Sequence, residues 1–293
     1  MTDVQIGVVF PQLDLGGDVA ALRAYGQGVE QLGFRHLLAY DHVLGADPEV
    51  HAPFDGPYDI DTTFHEPLVM FGYLAGVTGL EFVTGILIAP QRPTALIAKQ
   101  AAEVDLLTEG RFRLGVAIGW NRVEYEALGQ DFTTRGRRLD HQIPLLRRLW
   151  TERSVTVDDG FERVTGAGLC PPPVQRPIPI WIGGASAPAY RRIGRLADGW
   201  FPMVPPGDAL DAARATIAGA AAEAGRDITG LGMEGRVQWQ PDDPERFVRQ
   251  VGRWRDAGAT HVGIDTMRLG LGGVEGHLRA LRAAAELLEL TPR

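Results

Sequence analysis

The sequence is short of several things, and each shortage removes a class of protein. It has a single cysteine, Cys170, so no intramolecular disulfide can staple it. That cysteine sits before PPPVQRP with no suitably spaced histidine motif, and it reads as structural or incidental rather than as a nucleophile. The histidines, His36, His42, His51, His65, His141, His261 and His277, show neither H-x-x-x-H nor H-x-H spacing, so no metal site is expected. No G-x-S-x-G is present, which argues against a serine hydrolase. No apolar run reaches the roughly 20 residues of a membrane span. The opening MTDVQIG carries neither a basic n-region nor a cleavage site. A cytoplasmic, membrane-free protein is the expectation. Basic residues number 29 against 37 acidic ones, for a net charge of −8. They form no stripe, so nucleic acid is not expected as a partner either.

What is present is an alternation of strands and helices. Val4 to Phe10 reads as a buried strand, and Asp18 opens a helix with Leu22, Tyr25, Val29 and Leu32 at helical spacing. His36 to Tyr40 is the second strand. A Gly- and Pro-rich loop follows, then a short helix over Pro67 to Val77. Phe82 to Ile88 and Leu114 to Ile118 are the third and fourth strands, with a helix over Thr94 to Leu107 between them. A helix ending at Trp150 comes next, with Pro144 inside it, which predicts either a kink or two shorter helices. Val155 to Pro177 breaks the alternation and reads as an insertion crossing the barrel, built as a small hairpin. Strands at Ile178 to Ile182, Gly199 to Val204, Leu231 to Gln238 and His261 to Asp265 then alternate with helices to the end. Eight strands and eight helices in 293 residues fit one (β/α)8 TIM barrel spanning 1–293, with insertion segments at the C-terminal face. A doubly wound sheet would need a glycine fingerprint in the first turn, and PQLDLGGD does not match G-x-G-x-x-G.

A barrel presents chemistry where its strands end. The positions so selected are Pro11–Gln12, Asp41–His42, Ile86–Pro90, Gly119–Glu124, Gly183–Ser186, Trp200–Met203, Glu234–Arg236 and Asp265–Arg268. Gly183, Gly184, Ala185 and Ser186 join a strand to a helix. Two glycines admit an anion close to the backbone, and the helix start offers free N–H groups, so a phosphate fits. The plainer alternative is a tight turn with Ser186 as cap. His42 can exchange a proton near neutral pH; it could equally be a packed histidine beside a turn aspartate. Trp120 could be core packing. Glu124 could be an acid or could pair with Arg135, Arg137 or Arg138, and the ion pair is the favoured expectation.

Long segments carry a resemblance. GILIAPQRPTALIAKQAAEVDLLTEGRFRLGVAIGW, then EYEALGQDFTTRGRRLDHQIPLLRRLWTE, then PPPVQRPIPIWIGGASAPAYRRIGRLADGWFP, together with AYDHVLG, resemble the bacterial luciferase-like monooxygenase superfamily from about Ile6 to Pro202. One branch of that superfamily uses reduced FMN and oxygen; the other transfers hydride with the deazaflavin coenzyme F420. The compact chain and its Gly119-Trp120-Asn121, Glu124-Tyr125 and Arg135-Gly136-Arg137 pattern are similar to the second. The resemblance implies that Gly183, Gly184, Ala185 and Ser186 hold the cofactor phosphate. It implies that Ile86–Leu87 is a strand bulge with a cis peptide behind the tricyclic ring, that Asp41 contacts that ring, that Trp120 and Asn121 flank the cofactor, and that His42 is the acid/base residue. Tyr58, Phe64 and Trp120 would exclude water, with the loop Leu44 to His65 as a lid. A small-molecule substrate and a homodimer are expected on the same ground. An FMN-dependent monooxygenase and a non-catalytic flavin-binding protein are the alternatives. Sugar-phosphate dehydrogenases of the family place a glutamate where this chain has Trp120, and they use late basic residues not recognisable here. Glucose 6-phosphate is therefore not the expected substrate.

Overall fold

The structure, a computed structural model, describes residues 4–292; Met1 to Asp3 of the opening segment lie outside it. The first strand, β1 (Gln5–Val9), leads through a short helix α1 (Gln12–Leu15) to α2 (Val19–Gln31), which starts where Asp18 accepts hydrogen bonds from the amides of Ala20 and Ala21. There follow β2 (His36–Ala39), α3 (Pro67–Ala75), β3 (Glu81–Thr84), β4 (Leu87–Ile88), α4 (Thr94–Leu107), β5 (Phe112–Ala117), α5 (Arg122–Ala127) and α6 (Arg135–Thr151). The remainder is β6 (Val155–Asp158), β7 (Arg163–Ala167), β8 (Ile180–Gly183), α7 (Ala187–Leu196), β9 (Gly199–Phe201), α8 (Asp208–Glu223), β10 (Gly232–Gln238), α9 (Pro244–Asp256), β11 (His261–Asp265) and α10 (Val274–Leu287). No described helix is long and apolar enough to cross a membrane.

All neighbours in the main sheet are parallel, and β3 pairs with both β2 and β5, which closes the sheet. Because β3 and β4 are two halves of one barrel position, the closed sheet has eight positions: the expected TIM barrel. The third strand is thus interrupted where the sequence suggested a continuous one. The interruption carries a cis peptide at Gly85–Ile86, one residue before the expected Ile86–Leu87. A side chain at Gly85 would run into Leu38, so the bend falls at the residue that leaves this space free. Pro144 lies inside a single helix, α6, not between two. The insertion does contain a hairpin, β6–β7, but it runs along the outer helices and not across the barrel. Its tip meets α4 and α6 through Glu162 with Thr94 (2.5 Å) and Asp159 with His141 (2.7 Å).

The inside of the barrel is layered, and strand alternation decides what each layer holds. At the bottom lies a charged plug. Glu234 accepts hydrogen bonds from His36 Nε2 (2.8 Å) and Arg113 (2.9 Å); Arg113 also pairs with Glu81 and lies 4.4 Å from the Trp181 ring centroid. The glycines make room for it: a side chain at Gly7 would strike the His36 ring, and one at Gly199 or Gly232 the Trp181 ring. Burial alone would raise the Glu234 carboxyl, but the charges of His36 and Arg113 hold it well below the usual range. Above the plug is an apolar layer containing Val9, Leu38, Val83 and Phe201. The outward residues, among them Val8, Leu37, Phe82, Leu114 and Ile264, pack on the helices and form the main core.

Candidate active site

Over the apolar layer the barrel opens into a cavity of about 720 Å³, a volume suited to a drug-sized ligand. Its walls come from the ends of β2, β4, β5, β8, β9 and β10. The lining is mostly aliphatic and aromatic, and its charged groups include Asp41, Arg236 and, from the plug, Glu234.

His42, three residues past the end of β2, projects into a cage of Tyr58, Phe64 and Trp120, with ring centroids 5.3, 4.7 and 5.5 Å away. Its Nδ1 lies 3.0 Å from Glu124 Oε2. Glu124 is fully buried at the start of α5 and accepts further hydrogen bonds from the amides of Val43 (2.5 Å) and Leu44 (3.2 Å). Burial pushes its carboxyl up, but the His42 hydrogen bond and charge and the two amides outweigh that, so its pKa is lowered. Glu124 is therefore an anionic acceptor. This fixes the tautomer of neutral His42, with the proton on Nδ1 and Nε2 left as the acceptor, with no hydrogen-bond partner among the described residues. The expected ion pair of Glu124 with Arg135, Arg137 or Arg138 does not form. Arg135 lies on the Phe132 ring and Arg138 reaches the carbonyl of Arg92.

Asp41 borders the cavity, but its carboxylate is already engaged. Arg92 grips both oxygens (2.7 and 2.8 Å), and the Ile88 amide donates to Oδ2 (2.9 Å). It ties β4 to the end of β2. Ile86 and Ile88 face the cavity, whereas Leu87 between them points into the main core, a consequence of strand alternation. Trp120 is 37% exposed and lies at the rim against Phe54, not in the core. Asn121 departs from expectation. It caps α5 by accepting from the Val123 amide (3.0 Å), donates to the Leu44 carbonyl (3.3 Å), and does not line the cavity.

Gly183, Gly184, Ala185 and Ser186 form the opposite rim. Ser186 is the N-cap of α7, accepting from the Ala189 amide at 3.4 Å. Gly184 has φ of 152°, and a Cβ there would stand 2.7 Å from that of Ala189. Helix-start amides and a bare backbone thus face the cavity together, the arrangement that admits an anionic group. The loop 44–65 is clamped at its base by Glu124 and Asn121 and at its far end by His65, whose Nε2 lies 2.9 Å from the Gly16 carbonyl. Tyr58 from this loop lines the cavity. Among the described residues no group of His, Cys, Asp and Glu could hold a metal.

The sequence profile described as luciferase-like monooxygenase matches residues 6–279. The chain belongs to this family. An FMNH2-dependent dimethylsulfone monooxygenase of Pseudomonas putida is 30% identical over 188 residues, covering 63% of this chain and 48% of the relative. The chain thus spans about half the length of the curated relatives it matches. Among solved structures, the coenzyme F420 dependent tetrahydromethanopterin reductase of Methanopyrus kandleri superposes with a TM-score of 0.75 at 12% identity, over 99% of this chain and 100% of that one. A long-chain alkane monooxygenase superposes at 0.78 and 13%, over 99% and 93%. At such identities these two likenesses bear on the fold alone.

Sequence reasoning did not assign a role to several rim residues. Arg92 and Gln91 carried no signal until the fold placed them beside Asp41 and Glu124. Arg236 was within reach, because β10 alternates Glu234, Arg236 and Gln238 on one face.

Proposed function

We propose that the chain is an oxidoreductase that takes a flavin-type tricyclic cofactor at the mouth of the barrel, and that this cofactor is coenzyme F420. The single observation that carries the reading is the facing pair of rims. On one side, His42 is oriented by an anionic Glu124 inside an aromatic cage. On the other, the Gly183–Ser186 turn offers helix-start amides over an apolar floor. The cradle fits a phosphorylated, planar group: the glycine surface would be filled by side chains, and Ile86 and Ile88 offer a flat apolar wall.

When bound, the deazaflavin supplies or accepts a hydride. The protein's own part is then limited and legible. Gly183, Gly184, Ala185 and Ser186 hold the phosphate. Ile86 and Ile88 back the ring, while Asp41 keeps that strand in place through Arg92. Tyr58, Phe64 and Trp120 keep water from the reacting atoms. His42 gives or takes the accompanying proton at Nε2, and Glu124 holds the imidazole in that tautomer and supports its protonated form.

A second reading, an FMN-dependent monooxygenase, is favoured by the FMNH2-dependent relative from Pseudomonas putida. The two are separated by running reactions with and without oxygen. The first reading expects reduced F420 to be reoxidised anaerobically by a substrate of the chain. Oxygen uptake with reduced FMN that rises on adding a substrate, with no turnover of F420, would transfer the assignment to the second.

A further inference from the structure

Arg236 is a cation at the cavity rim that forms no ion pair with any described carboxylate. It projects from β10 on the same face as Glu234, but Glu234 is fully occupied by His36 and Arg113. Among the described residues the one hydrogen-bond partner of Arg236 is the Tyr40 hydroxyl, and its guanidinium also lies 5.7 Å from the Tyr40 ring centroid. The cavity carboxylate Asp41 is likewise committed, to Arg92, and the buried Glu124 behind it to His42. Asp265 stands farther off and accepts the Met267 amide. Burial pushes its carboxyl up, and its charge acts on Arg236 from a distance, without an ion-pair contact.

Arg236 also borders a second, side cavity of about 240 Å³. Its other walls include Met203, Gln250, Arg253 and Trp254, with no acidic residue. Arg253 donates to the Pro206 carbonyl (2.7 Å) and, like Arg236, has no carboxylate partner. Two guanidinium groups that form no ion pair with any described carboxylate therefore border one pocket, which shares Pro202, Met203 and Arg236 with the main cavity. A guanidinium without a carboxylate partner recognises an oxyanion by charge-assisted hydrogen bonds.

Building on the function proposed above, we infer that the substrate carries an oxyanion group, a carboxylate or a sulfonate, bound by Arg236 with Tyr40 and reaching toward Arg253. The uncharged reacting part of the molecule lies under His42. At the His42 end, Tyr58 packs its ring on His42, and the Arg268 guanidinium lies 5.6 Å from the Tyr58 ring centroid. This selects a small bifunctional molecule over a simple alkane or alcohol.

Calorimetric titration of the full chain with butanoate, butane-1-sulfonate and butan-1-ol tests this, alone and with saturating cofactor. Binding of one or both anions and not the alcohol is expected, and which anion binds tighter separates carboxylate from sulfonate substrates. R236M should weaken the anion about tenfold or more, and R253M should weaken it by a smaller factor. Cofactor affinity should stay unchanged in both. Equal binding of alcohol and anions, no anion binding, or undiminished binding in R253M and a folded R236M would overturn the inference. A parallel loss of cofactor affinity in R236M would instead assign Arg236 to the cofactor. Failure of wild-type protein to bind F420 or FMN would count against the function proposed above and leave the anion result readable by itself.

Discussion

At the scale of residues, the account depends on His42 being oriented and not merely packed. H42A should lower turnover by about 10²–10³-fold while the cofactor dissociation constant stays within about threefold, measured by steady-state kinetics and equilibrium titration side by side. Unchanged turnover would remove His42 from the chemistry. Asp41 belongs to another category despite its adjacency. Its oxygens are saturated by Arg92 and the Ile88 amide, so D41N should act on stability. Leaving the buried Arg92 without its counter-charge costs about 3–5 kcal/mol, readable as a shift in the urea midpoint. His42 and Asp41 are neighbours in sequence and look equally functional there. Only the third dimension shows that one side chain faces the cavity and the other is locked into the wall.

At the scale of elements, the turn from β8 into α7 carries the cofactor argument. G184A places a methyl group 2.7 Å from Ala189 and imposes a φ that residues with side chains rarely adopt. It should weaken cofactor binding about tenfold while the far-UV spectrum is unchanged; intact affinity would mean that the phosphate sits elsewhere. Strands and helices of this kind were largely legible from periodicity, because a barrel strand buried on both faces reads as an apolar run and its following helix as a 3.6-residue stripe. α4 and β11 have the bounds their sequences suggest. What was not legible is instructive. The break between β3 and β4 has no periodic signature, since two residues cannot display one; only the family resemblance points to it, one residue too late. Leu87 and Asn121 are expected at the cofactor from the family resemblance, in segments where only Ile86 and Trp120 line the cavity. Strand alternation turns Leu87 to the core, and helix capping engages Asn121. Glu124 was read against nearby arginines in sequence, yet its partner, His42, lies 82 positions away; a contact of that separation is set by barrel closure and not by local pattern.

At the scale of the whole molecule, the charged plug makes stability depend on pH. Burial, with help from the positive charges of Arg113 and His36, lowers the His261 pKa from 6.5 to about 3. The unfolded chain therefore binds a proton that the folded chain refuses, throughout the interval between those values. The stabilising contribution is full above about pH 6.5 and is lost progressively as pH falls toward 3. The melting temperature should decline across that window, and H261Q should flatten the decline; an equally steep slope in H261Q would place the sensitive group elsewhere. The same architecture keeps the plug beneath an apolar layer and leaves the cavity above it for chemistry, which is the division of labour a barrel provides. The central claim, that this cavity takes a deazaflavin, is tested most directly by titrating the purified chain with oxidised coenzyme F420 and with FMN while following tryptophan fluorescence, with Trp120 at the rim as a reporter. The account predicts saturable quenching by F420 at concentrations well below those needed for FMN, and a smaller signal in W120F. Tight binding of FMN with weak or absent binding of F420 would contradict it.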